Sequence, residues 1–128
     1  MGRIMASVTV ASFSDPSKVL PCEALVDTGA SHLTLPMAWR DRLGDLPQAR
    51  AVELLTATQD VVGGEICGPV RIEIEGFPPI SSEVLFVEMD PVDGHYEPLI
   101  GYIALEQSQA AVDMVAHRLI HVKRMDLK

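Results

Sequence analysis

Hydrophobic and polar positions alternate with a period of two through much of the chain, the pattern of half-buried β-strands. In Ser7–Phe13, Val8 and Val10 alternate with Ser7, Thr9 and Ser12. Ser14-Asp15-Pro16-Ser17 reads as a turn, because Asp starts it and Pro fixes φ. Lys18–Val26 returns as the hairpin partner, with Pro21 pushing that end toward an edge or bulge. This strand closes in Ala24-Leu25-Val26, which is wholly apolar and predicts an end buried on both faces. His32–Pro36 is another short strand, with Leu33 and Leu35 alternating. Pro36 to Leu43 predicts a helix that Gly44 stops.

The alternation resumes in Ala49–Thr58. Gln59-Asp60 turns the chain back into Val61-Val62, and Gly63-Gly64 predicts a mobile return segment. Gly68-Pro69 reads as a boundary. Val70–Glu75 is the cleanest alternation, with Val70, Ile72 and Ile74 on one face and Arg71, Glu73 and Glu75 on the other. A turn at Gly76-Phe77-Pro78-Pro79 leads to a strand over Glu83–Met89 and a polar loop over Asp90–Pro98. Leu99-Ile100-Gly101 reads as a short buried strand end, Tyr102–Ser108 as a short helix, and Ala111–Met114 with Leu119–Val122 as a closing hairpin. Many short strands at turn spacing, with one or two short helices, predict an all-β fold, a small barrel or sandwich. No linker or low-complexity tract divides the chain, and 128 residues suit one domain spanning 1–128.

Charge narrows the function. Ten Lys and Arg against 18 Asp and Glu give a net charge of −8. Nucleic-acid binders need a basic face, and anionic membranes attract basic segments, so neither partner is expected. The apolar-leaning run Ile4–Ser14 falls far short of the ~20 residues of a membrane span, and no export signal is read at the N-terminus. Cys22 and Cys67 lie far apart with no metal-ligand spacing, which predicts reduced thiols and a cytoplasmic location.

The chemistry candidate is Asp27. An acid at the end of an apolar strand is costly to bury unless it is paired or hydrogen-bonded. Gly29 permits a tight path that brings N–H groups to the carboxylate, and Thr28 offers a hydroxyl to a backbone group or to a symmetric copy of the same loop. An acid held this way suits general acid–base work. Asp-Thr-Gly alone also fits an ordinary turn, so the flanking residues matter.

Those flanks carry a resemblance. Ala24-Leu25-Val26-Asp27-Thr28-Gly29-Ala30-Ser31 resembles the active-site segment of retropepsin-like aspartic proteases, the retroviral type with relatives in bacteria. Leu99-Ile100-Gly101 before a short helix is similar to that family's second signature, two bulky aliphatics and a glycine. Leu54-Leu55-Thr56-Ala57-Thr58 resembles the strand leading into the flap over the cleft, and Ala111–Val122 the final strands. The resemblance implies a small closed acid-protease-type barrel and a hydrolase that cuts peptide or protein substrates. It implies Asp27 as the catalytic acid, Thr28, Gly29 and Ala30 as loop support, and no metal or cofactor.

Two-lobed aspartic proteases supply one such triplet per lobe. This chain has a single triplet and is too short for two lobes, so the resemblance implies a homodimer with the site on its twofold axis. Ala30 stands where pepsin-type enzymes carry Ser or Thr, and losing that hydroxyl makes the acid harder to ionise. The flap departs from the pattern: Ala57, Thr58, Gln59 and Asp60 hold no glycine. Either the tip lies near Gln59-Asp60 or the mobile part shifts to Gly63-Gly64. A second functional class, a catalytically silent dimeric binding module on the same fold, stays open on that irregularity.

Other groups weigh less. His117 and His121 have helical metal spacing but sit in a predicted hairpin without a third ligand. Gly29-Ala30-Ser31 mimics the start of a nucleophile elbow but lacks its second glycine, since position 33 is Leu. Asp90, Asp93 and Glu97 lack a calcium-loop arrangement and read as solvated. Met37 and Trp39 read as packing residues, and Lys123, Arg124 and Lys128 as a small basic rim.

Overall fold

The computed structural model describes residues 2–127. Its strands are β1 (Met5–Ser12), β2 (Val19–Val26), β3 (Leu33–Pro36), β4 (Gln48–Leu55), β5 (Val61–Ile74), β6 (Ile80–Val87), β7 (Leu99–Ile100), β8 (Ala110–Asp113) and β9 (Arg118–His121). A 3-10 helix covers Met37–Leu43, and α1 covers Tyr102–Gln107. Seven strands form one sheet in the order β1-β2-β7-β3-β6-β5-β4, and an added β1–β5 pairing closes it into a ring. β8 and β9 pair separately. The all-β expectation with short helices therefore holds.

Period-two patterning explains the ring. Val8 and Val10 of β1, Leu20, Ala24 and Val26 of β2, and Val70, Ile72 and Ile74 of β5 point inward and are buried. Phe86 on β6 and Ile100 on β7 fill the same core with no exposed surface. Each fully buried aliphatic of this kind contributes about 1.5–3 kcal/mol over an exposed one. On β2, Leu25 donates its amide toward the β7 side, to Pro98, and Val26 donates toward the β1 side, to Ile4. Pro21 falls on the same edge as Leu25. Its missing N–H therefore takes nothing from the ladder to β1.

The helix expected after Pro36 is present as a 3-10 helix, with Pro36 as its extended N-cap at φ −66° and also the last residue of β3. Among its residues only Leu43 is buried, so no apolar stripe of α period exists to hold a longer helix. Gly44 ends it at φ +68°, as its position predicts.

Gly63 and Gly64 do not form a mobile segment. They lie inside β5, paired with Glu53 and Val52 of β4. A Cβ on Gly64 would stand 3.1 Å from the Phe86 carbonyl oxygen and 3.2 Å from methyls of Leu54 and Leu85, so this glycine serves a close approach. Gly68-Pro69 does not divide two strands either. It sits within the 14-residue β5, where the register to β6 shifts between Cys67 and Val70. Before this point β5 pairs with β4, and after it with β1. The breaker residues mark an exchange of partners, and only the start of β5, Val61 to Gly63, with the facing end of β4, projects beyond the pairing with β6.

Candidate active site

β2 ends at Val26, and the loop from Asp27 to His32 carries the chain to β3. Parallel pairing of Leu25 with Leu99 and Val26 with Ile100 sets β7 beside that end. The Asp27 amide donates to the Ile100 carbonyl at 3.0 Å. The Ala30 amide donates to the Asp27 carbonyl at 3.1 Å, which tightens the turn. From the other side, the amides of Tyr102 and Ile103, in the first turn of α1, donate to the carbonyls of Ala30 and Ser31, each at 2.9 Å. The two signature segments, distant in sequence, thus interlock through backbone bonds.

Gly101 is buried against this loop. A Cβ there would lie 2.5 Å from the Ser31 carbonyl carbon and oxygen and 2.6 Å from the His32 carbonyl oxygen. Only glycine fits. The Thr34 hydroxyl donates to the His32 carbonyl at 3.0 Å, and Ser31 Oγ lies 2.8 Å from His32 Nδ1.

The Asp27 side chain accepts a hydrogen bond at Oδ1 from the Gly29 amide at 2.9 Å. A Cβ on Gly29 would approach that same oxygen at 3.2 Å, so the glycine keeps the approach open. Among the described residues no Lys, Arg or His lies within salt-bridge distance of Asp27. Asp27 is half-buried and Ala30 half-buried, while Thr28 and Gly29 are exposed. The expectation of a buried acid therefore needs correction for the single chain, which covers the inner side of the loop and leaves its outer side to solvent.

The β4–β5 hairpin turns at Thr56–Asp60, so Ala57, Thr58, Gln59 and Asp60 form its tip. The Thr56 amide donates to the Asp60 carbonyl, and the Gln59 amide to the Thr56 carbonyl, both at 2.9 Å. The Thr58 hydroxyl donates to Asp60 Oδ2 at 3.0 Å, and the Asp60 amide to Thr56 Oγ1 at 3.1 Å. Gln59 adopts φ +68°, the left-handed conformation that glycine usually supplies. Leu55 and Val61, which flank the turn, are 66% and 63% exposed.

A contact that sequence reasoning missed anchors this hairpin. Arg40 of the 3-10 helix pairs with Glu65 on β5. That hydrogen bond, with a second from Cys67, holds the Glu65 carboxyl below its usual range. Burial pushes the Cys67 thiol up to about 11 and that of Cys22 likewise up to about 11. Both cysteines are free. Side-chain partners across the fold leave no periodic trace in a single sequence, so nothing pointed to Arg40.

The remaining candidates stay apart from Asp27. His121 packs edge-on against Phe77. Among the described residues no three His, Cys, Asp or Glu side chains group as a metal site, and no helix is long and apolar enough to cross a membrane. Trp39 packs against the core as expected and also meets Tyr96 edge-on at 5.8 Å. Asp90 and Asp93 are exposed, whereas Glu97 is engaged by Arg3 at 2.6 Å. Lys123 and Arg124 are exposed, and Lys128 lies outside the described residues.

Known proteins agree with this architecture. The EIAV protease, solved with the inhibitor HBY-793, superposes with a TM-score of 0.58 at 21% identity, over 82% of this chain and 86% of its own. The retroviral protease-like domain of Ddi1 from Leishmania major superposes with a TM-score of 0.53 at 18% identity, over 94% of this chain and 90% of its own. No curated protein matches the sequence. The family model described as aspartyl protease matches residues 7–102, from β1 through the Asp27 loop and the hairpin to Gly101 and Tyr102. The chain has a retropepsin-like fold and belongs to the aspartyl protease family.

Proposed function

We propose that the chain is an aspartic endopeptidase, active as a homodimer of single domains spanning 1–128, with Asp27 of each copy at the shared site. The observation that carries this reading is the single Asp27-Thr28-Gly29 loop, braced on its inner side by Ile100, Tyr102 and Ile103 and open on its outer side. The chemistry needs two carboxylates and the chain supplies one such loop. A twofold axis sets the same patch against itself and supplies the second.

Two carboxyls a few ångström apart do not both ionise cheaply, so the pair shares one proton, as in the aspartic-protease example of carboxylate pairing. The ionised member takes a proton from water while the protonated member donates to the scissile carbonyl oxygen. The water oxygen bonds to the carbonyl carbon. The carboxyl that took the water proton then gives it to the amide nitrogen while its partner takes back a hydroxyl proton, so the C–N bond breaks, amine and acid leave, and the pair again holds one proton. The pair titrates as a unit. Thr28 braces the partner loop through its exposed hydroxyl, and Gly29 holds the Asp27 carboxylate through its amide. The tip residues Ala57–Asp60 act as the flap, and exposed Leu55 and Val61 offer apolar surface to a substrate. A cytoplasmic location and kinship with the bacterial branch of retropepsin-like enzymes belong to the same proposal. They rest on the free thiols and on the residues flanking Asp27.

The test is cleavage of a peptide library between pH 4 and 8, read by mass spectrometry, with Asp27→Asn as control. Cuts that vanish in Asp27→Asn support the proposal. A wild-type protein that dimerises yet cuts nothing across that range establishes the silent binding module instead.

A further inference from the structure

A cleft of about 640 Å³ lies away from Asp27, lined by Pro21, Glu23, Trp39, Arg42, His95 and Tyr96 among others. Its shape follows from the sheet. β2 has eight residues, but β7 pairs only with its last two. The segment feeding β7 joins β2 at the bond from the Leu25 amide to the Pro98 carbonyl, and beyond it the cleft opens between β2 and residues 94–97. Backbone groups on this edge alternate. Glu23 faces the same side as Leu25, and neither its N–H nor its carbonyl has a partner among the described residues. Pro21 offers a carbonyl there and no N–H. The edge is thus a short, incomplete ladder with one donor and two acceptors.

The walls add chemistry. Trp39 and Tyr96 meet edge-on at 5.8 Å and present aromatic surface. The Arg42 guanidinium lies over the Trp39 ring at 5.1 Å and has no carboxylate partner among the described residues. Of the acids on the same walls, Glu97 is paired with Arg3, whereas Glu23 keeps its charge and accepts from the Ser7 hydroxyl. The cleft therefore holds one cation fixed on an aromatic face, beside unpaired strand backbone. Backbone bonds to an open edge and side-chain contacts beside it are the means by which extended peptides are taken up, and a guanidinium in this setting favours a carboxylate.

We propose that this cleft is a second peptide-binding site, in which an extended segment adds to the β2 edge at Glu23 and sets a carboxylate on Arg42 against Trp39. The site is distinct from the Asp27 loop, and its occupant is an extended acidic segment of a partner protein. Trp39 is the only tryptophan, so its fluorescence reports the cleft directly.

The experiment uses the full chain carrying Asp27→Asn, which keeps the probe intact. The probe is the capped pentapeptide acetyl-Thr-Val-Asp-Val-Thr-amide, titrated to about 1 mM, the range of weak peptide binding. The proposal expects a saturable change in Trp39 emission and slowed hydrogen exchange at the Glu23 amide. It also expects about tenfold weaker binding either with Arg42→Glu or when the probe's Asp is replaced by Asn. Arg42 is exposed, and the probe substitution repeats the test without altering the protein. No emission change, an unprotected Glu23 amide at saturation, or undiminished binding to both the variant and the Asn probe overturns it. Because binding is read without cleavage, this failure is separable from failure of the protease reading.

Discussion

Gly101 lies so close beneath Ser31 that a methyl group on it would stand 2.5 Å from the Ser31 carbonyl. The contact joins the strand end after β7 to the loop that holds Asp27, and it sets the loop's height above the sheet. Gly101→Ala is expected to destabilise the fold by about 3 kcal/mol, because the clash is with backbone that has little room to move. Urea unfolding measures this. A loss below about 0.5 kcal/mol, the scatter of ordinary surface changes, would show that the loop is not seated on Gly101.

The turn between β4 and β5 places Gln59 at φ +68°. A non-glycine residue there costs on the order of 1 kcal/mol. Gln59→Gly is expected to leave stability level or raise it by up to about 1 kcal/mol, and Gln59→Val to lower it by roughly 1–2 kcal/mol. Melting temperatures of the three proteins give the order. Val above Gly would mean that the turn is not left-handed at this residue.

Ala30 offers no hydroxyl to an ionised Asp27. Cleavage by the wild type is therefore expected to peak at weakly acidic to neutral pH, and Ala30→Ser to move the acidic limb to lower pH. A pH–rate profile measures both. A wild-type peak below about pH 3 contradicts the expectation.

Burial raises both thiols from an ordinary 9.0 to about 11. Between these values the unfolded chain has lost protons that the folded chain keeps, so ionisation favours unfolding. The stability contributed by the neutral thiols is complete below about pH 9 and is lost as pH rises toward 11. Urea midpoints are expected to fall over that window. A Cys22→Ala, Cys67→Ala protein should show a shallower fall. Equal slopes would mean that the thiols ionise alike in both states.

Much of this was legible because strand patterning and turn chemistry are local. Val70–Glu75 announced an inward Val70, Ile72 and Ile74, and Asp15-Pro16 announced the β1–β2 hairpin. Gly68-Pro69 misled because a breaker inside a strand and a breaker between strands look alike in one dimension. Only the partners, β4 before and β1 after, tell them apart. Gly63-Gly64 misled for a related reason. Glycine chosen for close approach to Phe86 cannot be told from glycine chosen for freedom. The segments around Asp27 and Ile100 were each visible, but the bond between them depends on the β2–β7 pairing. The exposure of Thr28 was not legible, since a motif gives residue types and not what covers them. Arg40 with Glu65, and Trp39 with Tyr96, join side chains that no periodicity relates.

The central claim is that each active site takes one Asp27 from each of two chains. It is tested most directly by mixing wild-type and Asp27→Asn protein at fixed total concentration, refolding them together, and measuring the cleavage rate against the wild-type fraction. Random pairing leaves only wild-type pairs active, so an equal mixture should retain about one quarter of the full rate. About one half, with the rate rising in direct proportion to the wild-type fraction, would mean that each chain works alone and would contradict the account.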